Sequence, residues 1–169
     1  MRLQCSKLPY TRKDSMSVST LANVLVLRSM TKDYALAGLR LGYALGAPEL
    51  IAGLARVQIP WSVNELAQVA GVAALAAQAE YEAMWGQLRE ETAVLRQGLC
   101  ELGYRPMPSA THYFLMEVGD GRAWREQLLR RGILVRLCES YGLPSFVRIG
   151  TRTGVENGRL LAAVSQVVR

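Results

Sequence analysis

The chain has 169 residues, half of them apolar, which is enough for one ordinary domain or two small ones with a buried core. Its net charge of +6 comes from basic residues scattered singly or in pairs, without an interleaved aromatic series, so we expect no nucleic-acid partner. No uninterrupted apolar run reaches the roughly 18 residues of a membrane span, and we expect no membrane association.

The metal-ligating residues are few and scattered. Three cysteines lie far apart without metal-ligand spacing, and the chain has a single histidine, His112. This pattern argues against a metal site and against a Ser-His-Asp triad. Unpaired thiols of this kind are typical of reduced cysteines, so a cytoplasmic location is expected.

A polar, aperiodic lead-in over residues 1–22 is expected to be poorly ordered. An apolar run then predicts a strand over Val24–Leu27, and a second predicts a strand over Leu39–Leu45. The link between them carries Ser29, Thr31 and Lys32, and the second run carries Arg40. Hydroxyl groups and a guanidinium can grip a phosphate, and a lysine amine can attack a carbonyl carbon to form an imine.

The lysine in this link is unusual for the chain. Only three of the twenty basic residues are lysines, Lys7, Lys13 and Lys32, and the other seventeen are arginines. A chain that uses arginine as its ordinary cation keeps a lysine in this loop, and only lysine can form an imine.

The middle of the chain is predicted to be helical. Pro48 and Glu49 open a helix that runs to about Val57, and Ser62-Val63-Asn64-Glu65 matches a capping box that starts the next. That helix is Ala-rich through Ala79 and continues to a stop at Gly103. Its second part carries an apolar stripe that we interpret as core-facing rather than as a coiled coil or a cofactor box. The stripe is formed by Tyr81, Met84, Trp85, Leu88, Leu95, Leu99 and Leu102.

The last third alternates short strands and helices. Strands are predicted over Tyr113–Val118, Ile133–Leu137 and Phe146–Gly150. Asp120 is predicted to cap a helix over Arg122–Arg131, and a second capping box, Thr153 with Glu156, opens a final helix to about Val168. The fold class is therefore α/β.

The stretch SMTKDYALAGLRLGY, residues 29–43, resembles the cofactor-lysine signature of the fold-type I pyridoxal-phosphate enzymes, the class I and II aminotransferases. The resemblance implies that Lys32 binds pyridoxal 5'-phosphate covalently and that Ser29, Thr31 and Arg40 hold the cofactor. It also implies a partial large, cofactor-binding domain over residues 23–78, and a connecting helix with a C-terminal small domain over residues 79–169. The tail most resembles the branch containing histidinol-phosphate aminotransferase and threonine-phosphate decarboxylase.

That branch implies transamination of a small or phosphorylated amino acid such as histidinol phosphate, by an enzyme that is a homodimer at full length. The alternative chemistry is decarboxylation of a threonine-phosphate type of substrate. The family's cofactor-ring acid, stacking aromatic and phosphate loop precede the lysine strand, and the sequence has no counterpart of that half. A third possibility is therefore a truncated, non-catalytic fragment or interaction module, and we expect little or no turnover from the isolated chain.

Two residues are implied as substrate contacts. Arg148, in the apolar strand FVRIG, aligns with the family's substrate-carboxylate arginine, and Asn64 lies in a loop that runs near the active site in this branch. Other polar groups have structural interpretations: Arg136 and Arg152 as members of surface ion pairs, Trp61 as a buried indole, and Glu90 and Glu91 as part of a solvated helix face. For His112, which precedes a strand, a turn role and a substrate contact are equally expected.

Overall fold

The computed structural model describes residues 22–167, and these fall into two compact units, 22–85 and 86–167. Residues 1–21 of the predicted lead-in, which include Lys7 and Lys13, lie outside the described residues. The predicted end of the last helix at Val168 also lies outside them. Within the described range, no helix is both long enough and apolar enough to cross a membrane. The mixture of helices and sheets confirms the predicted α/β class.

The first unit contains a two-stranded antiparallel sheet, β1 (Leu25–Ser29) with β2 (Gly42–Gly46), in which Ser29 pairs with Gly42. Between the strands lie a single helical turn, α1 (Met30–Asp33), and a 3-10 turn (Ala37–Leu39). Strand β2 begins three residues later than predicted, because this 3-10 turn occupies Ala37–Leu39 and Arg40 adopts a left-handed conformation with φ of +54°.

Two further helices complete this unit, α2 (Pro48–Val57) and α3 (Glu65–Ala76). Pro48 lies at the start of α2, as predicted. The N-cap of α3 is Asn64 and not Ser62, so the predicted capping box is wrong. The side-chain oxygen Oδ1 of Asn64 accepts from the Ala67 amide at 2.9 Å, while the Ser62 hydroxyl accepts from the Gln58 side chain. Asn is as good an N-cap as Ser, and it lies next to the first helical residue.

The single helix predicted from the Ser62–Glu65 capping box to the stop at Gly103 is in fact two. Helix α3 ends at Ala76, and α4 (Gln78–Glu101) begins after a break at Ala77. Gly103 follows with φ of +82°, which is the left-handed stop predicted from the sequence. Within the stripe, Leu95 and Leu99 are buried, but Met84 is 59% exposed and does not face a core in the described structure.

The second unit consists of a three-stranded antiparallel sheet, two further helices and the C-terminal part of α4. The strands are β3 (Tyr113–Glu117), β4 (Arg136–Cys138) and β5 (Leu143–Gly150), in the order β3-β5-β4. The helices are α5 (Gly121–Leu129) and α6 (Gly154–Val164), capped by Asp120 and by the Thr153–Glu156 capping box as predicted. Strand β4 begins three residues later than predicted, after a turn at Gly132.

One face of this sheet is buried and the other is not. Phe114 and Met116 of β3 lie opposite Ile149 and Val147 of β5, and all four are buried with Leu95 and Leu99 of α4. Because neighbouring residues in a strand point to opposite faces, Arg148 of β5 points away from this core. The fold therefore presents Arg148 on the outer face of the sheet.

Candidate functional site

The turn that carries Lys32 is anchored by its neighbours. Met30 and Tyr34, on either side of Lys32, are among the most buried residues of the first unit. The Met30 amide donates to the Leu41 carbonyl at 3.1 Å, which closes the loop next to the Ser29–Gly42 pair. Lys32 itself is exposed. Burial on both sides thus fixes the backbone while leaving the amine outside.

Aromatic packing fixes the same turn from helix α4. The Tyr34 ring meets the rings of Tyr81 and Trp85 edge to face, with centroids 4.9 Å and 5.4 Å away. The Trp85 indole N–H donates to the Asp33 carbonyl at 2.6 Å, and the Asp33 carboxylate forms an ion pair with Arg28 at 3.2 Å. The residue next to Lys32 is therefore held through both its backbone and its side chain.

Helix α3 packs closely beneath the turn. A Cβ atom added at Gly71 would lie 2.5 Å from Cδ2 of Leu41 and 3.6 Å from Sδ of Met30. The buried face of α3 consists of small residues, Ala67, Gly71 and Ala74. Small side chains on this face allow the helix to approach the buried base of the lysine turn.

The polar groups of the turn form a short chain of hydrogen bonds. The Lys32 Nζ donates to Thr31 Oγ1 at 3.0 Å, and Thr31 Oγ1 lies 2.8 Å from Ser29 Oγ. The structure therefore brings together three of the residues predicted from the sequence. Arg40 follows in the same loop, and its Nη1 donates to the Ala37 carbonyl at 3.0 Å. Among residues 22–167, no carboxylate forms an ion pair with Lys32 or Arg40.

Arg148 lies in the other unit, on the outer face of its sheet. Its guanidinium carbon lies 5.2 Å from the ring centroid of Tyr113, in the distance range of a cation–π contact. The residue directly opposite on β4 is Arg136, whose guanidinium carbon lies 5.3 Å from the Tyr141 ring centroid and whose Nη2 donates to the Tyr141 hydroxyl at 2.8 Å.

Arg136 makes contacts different from those that the sequence predicts. It was expected in a surface ion pair, but no ion pair involving Arg136 or Arg148 forms among the described residues. Arg152, expected to be similar, does pair with Glu156, at 2.9 Å. The signal in the sequence is an arginine in each of two short strands; what the sequence does not reveal is the register that places them opposite each other.

The remaining candidates lie apart from these groups. Trp61 is 97% exposed, so its prediction as a buried indole is wrong for the described structure. The His112 carbonyl accepts from the Thr151 amide at 2.7 Å, which agrees with a role in the turn before β3. Glu91 is not a fully solvated residue, since it accepts a hydrogen bond from Asn157 at 3.3 Å. Within the described part of the chain, no three metal-ligating side chains cluster.

Comparison with known proteins identifies the family. The model of the family "Aminotransferase class I and II" matches residues 7–166, which is most of the chain. The chain belongs to the class I and II aminotransferases. Members of this family are pyridoxal-phosphate-dependent enzymes that act on amino-acid substrates, so the cofactor of the family is pyridoxal 5'-phosphate.

Individual relatives agree with the branch inferred from the sequence. The chain is 39% identical over 148 residues to histidinol-phosphate aminotransferase of Anaeromyxobacter sp. (strain Fw109-5), covering 86% of this chain and 41% of the relative. It is 41% identical over 151 residues to threonine-phosphate decarboxylase of Salmonella typhimurium, covering 86% of this chain and 42% of the relative.

A solved structure gives the same result. Histidinol-phosphate aminotransferase from Sinorhizobium meliloti, in complex with pyridoxal-5'-phosphate, superposes with a TM-score of 0.74 at 27% identity, covering 86% of this chain and 41% of that one. The fold and the family inferred from residues 29–43 are thereby confirmed. The chain spans about two fifths of the length of the curated relatives that it matches.

Proposed function

We propose that this chain supplies the cofactor lysine and the substrate-anion arginine of a pyridoxal-phosphate-dependent aminotransferase that acts on a phosphorylated amino acid such as histidinol phosphate. The observation that carries this proposal is the lysine turn. Lys32 is exposed on a turn whose backbone is fixed by buried Met30 and Tyr34, in a chain of the family in which pyridoxal phosphate is the cofactor.

The chemistry of the turn fits the cofactor. Ser29 and Thr31 offer hydroxyl donors, Lys32 an ammonium and Arg40 a guanidinium, and neither cation forms an ion pair with a carboxylate of residues 22–167. Such a donor set suits a phosphate, for which charge-assisted hydrogen bonds are the strongest contacts. Ser29, Thr31 and Arg40 would hold the phosphate, and Lys32 would attach the cofactor covalently.

Lys32 would have two tasks. Its Nζ would hold and position the cofactor, and the same Nζ would act as the base that moves a proton between the substrate Cα and the cofactor. When bound, pyridoxal phosphate supplies an electron sink for the charge that develops at this carbon. The bonds to Asp33 and the packing on Tyr34 limit the motion of the turn, so that Nζ keeps its place during both tasks.

The outer face of the small sheet supports a phosphorylated substrate. Arg136 and Arg148 are directly opposite each other on neighbouring strands, and like charges in this position repel. An anion with two or more negative charges removes the repulsion and accepts hydrogen bonds from both guanidinium groups. A phosphate meets this requirement better than a single carboxylate does.

A decarboxylase acting on a threonine-phosphate type of substrate is the second candidate. The chain is as similar to threonine-phosphate decarboxylase as to histidinol-phosphate aminotransferase, at 41% and 39% identity. The lysine and the paired arginines serve either chemistry, because both substrates carry an amine and a phosphate. The third candidate, a non-catalytic fragment or interaction module, has the same fold but would not retain the cofactor.

Several finer assignments belong to the same proposal. These are a homodimer, a cytoplasmic location, and a large-domain part over residues 23–78 followed by the connecting helix and small domain over 79–169. Asn64 is proposed as a substrate contact through its Nδ2 donors, because its oxygen caps helix α3.

Covalent trapping tests the cofactor assignment. The purified chain is incubated with pyridoxal phosphate and reduced with borohydride, and the modified lysine is located by mass spectrometry. We expect preferential modification of Lys32 over Lys7 and Lys13, and its loss in Lys32→Arg, which keeps the charge. Equal modification of all three lysines would show that this chain alone does not form the cofactor site.

Turnover tests whether the isolated chain is active and, if it is, which of the two reactions it performs. Histidinol phosphate, with a 2-oxo acid as the amino acceptor, and O-phosphothreonine are offered to the cofactor-loaded chain, with ketone formation and carbon dioxide release as the two readouts. We expect little turnover from the isolated 169-residue chain. Robust turnover would contradict this expectation, and whichever product appears would identify the reaction.

A further inference from the structure

A cluster of buried polar side chains lies just beyond Arg148. The buried polar residues of the described structure are Thr92, Thr151 and Asn157, with 9%, 7% and 4% exposure. They bond to the two residues that follow strand β5: Thr92 to Thr151, and Asn157 to Arg152. The Thr92 hydroxyl lies 2.9 Å from the Thr151 hydroxyl and 2.7 Å from the Leu88 carbonyl oxygen. Strand β5 is thereby joined to helix α4 three residues after Arg148.

Asn157 holds the next residue along the chain. Its Oδ1 accepts from the Arg152 amide and its Nδ2 donates to the Arg152 carbonyl, both at 3.0 Å. The same Nδ2 donates to Glu91 Oε2 on α4 at 3.3 Å. One amide side chain therefore pairs both backbone groups of Arg152, as a neighbouring strand would, and also reaches the helix.

The opposite strand holds the same segment from the other side. The Thr151 amide donates to the His112 carbonyl at 2.7 Å, which extends the β3–β5 ladder one residue beyond the Tyr113–Gly150 pair. Tyr113, the residue after His112, provides the ring over which the Arg148 guanidinium lies. Thr151 therefore lies close along the chain to Arg148 and is bonded to the residue before Tyr113, so its contacts restrain both members of this cation–π contact.

A polar network is a costly way to fasten a strand. Buried polar groups are unfavourable unless they are paired, and a network that is fully paired permits fewer geometries than apolar packing does. Val147 and Ile149 already give β5 its apolar contacts with the core. What the polar network adds to these apolar contacts is a closer restraint on the backbone that follows Arg148.

We propose that Thr92, Thr151 and Asn157 are positioning residues for Arg148. They fasten the end of β5 to α4 and to β3, and so hold the Arg148 guanidinium over Tyr113 in the orientation that receives the substrate anion. This inference rests on the proposed role of Arg148 in anion binding.

The test compares Asn157→Asp with the wild-type chain. The aspartate keeps the size of the side chain and its acceptor oxygen, but it loses the donor to the Arg152 carbonyl and sets a carboxylate against Glu91. Two quantities are measured: the chemical shift of the Arg148 Nε–Hε NMR signal and the Kd for histidinol phosphate. The Arg148 signal is identified by its absence in Arg148→Lys. We expect a displaced signal and about tenfold weaker binding at neutral pH.

The pH profile distinguishes positioning from general damage. As pH falls, protonation of the carboxylate introduced by Asn157→Asp restores a donor and removes the repulsion from Glu91. The Arg148 signal and the Kd relative to wild type at the same pH should therefore return towards wild-type values. Thr151→Val should displace the signal at every pH, and Thr151→Ser, which keeps the hydroxyl, should restore it. This second pair also decides the question if Asn157→Asp does not fold.

The matched control is Gln97→Glu, which makes the same amide-to-acid change opposite Glu101 on the exposed side of α4. If Asn157→Asp behaves like Gln97→Glu, or Thr151→Val leaves the Arg148 signal in place, the positioning network is wrong. If Arg148→Lys does not weaken binding, the proposed function of Arg148 is wrong, whereas the NMR signal still decides whether the network positions this residue.

Discussion

Replacing Arg136 with glutamine should weaken the binding of a phosphorylated amino acid without unfolding the second unit. A hydrogen bond between charged groups contributes about 1.5–3 kcal/mol, so loss of one guanidinium should raise the Kd for histidinol phosphate by roughly 10- to 150-fold. Arg148→Gln should have an effect of similar size. Histidinol, which lacks the phosphate, should be affected much less by Arg136→Gln.

The stability of the protein should change little, because two effects oppose each other. Arg136 lies directly opposite Arg148, and removing one of two like charges in this position stabilises by about 0.2–1 kcal/mol. The change also removes the contact with the Tyr141 ring, which contributes about 0.5–1 kcal/mol at an exposed position. The net change in the free energy of unfolding should therefore lie within about 1 kcal/mol of zero.

The assay is isothermal titration of wild type, Arg136→Gln, Arg148→Gln and the double variant with histidinol phosphate and with histidinol. Thermal unfolding followed by circular dichroism accompanies each variant. An equal loss of affinity for both ligands in Arg136→Gln would show that this arginine does not recognise the phosphate. A wild-type affinity for histidinol phosphate in the same variant would refute the paired-arginine site.

Two further predictions concern stability. Hydrogen bonds from Arg152 and from Thr153 lower the pKa of Glu156 to about 2. The contribution of Glu156 to stability is therefore complete above its ordinary pKa of 4.5 and is lost as pH falls through about 2. Glu156→Gln should abolish this part of the pH dependence in acid unfolding. Gly121→Ala would put a Cβ 2.6 Å from the Pro144 carbonyl oxygen and should destabilise by about 1–3 kcal/mol in chemical denaturation. The matched control, Gly158→Ala in helix α6, meets no atom within 4 Å and should stabilise by about 0.4–1 kcal/mol; similar losses for both would contradict the steric argument.

Local signals in the sequence identified helix ends where the capping chemistry is short-range. Asp120 and the Thr153–Glu156 capping box act as predicted, because the bonds involved reach only three residues along the chain. The same kind of signal was wrong at Ser62, where Asn64, two residues later, competes for the same helix start. A capping pattern therefore indicates a helix start to within a few residues, and the competing cap decides the exact place.

Contacts between distant residues could not be predicted. The pairing of Arg136 with Arg148 depends on the register of two strands, and that register is irregular between Leu137 and Cys138. The bond between Trp85 and the carbonyl of Asp33 spans 52 residues, and nothing near Asp33 indicates it. The sequence thus predicts candidate residues, whereas the sheet register and the helix packing determine which of them lie close together.

The lysine loop carries backbone strain at two positions. Ala35 and Arg40 both adopt left-handed conformations, with φ of +55° and +54°, at a cost of about 1–2 kcal/mol for each non-glycine residue. Glycine at position 40 would remove most of that cost, but it would also remove the guanidinium. The contacts of Met30 and Tyr34 and the Ser29–Gly42 pair impose this conformation on the loop. The strained backbone at Arg40 therefore places a guanidinium in the same loop as exposed Lys32, where the proposed phosphate site needs a second cation.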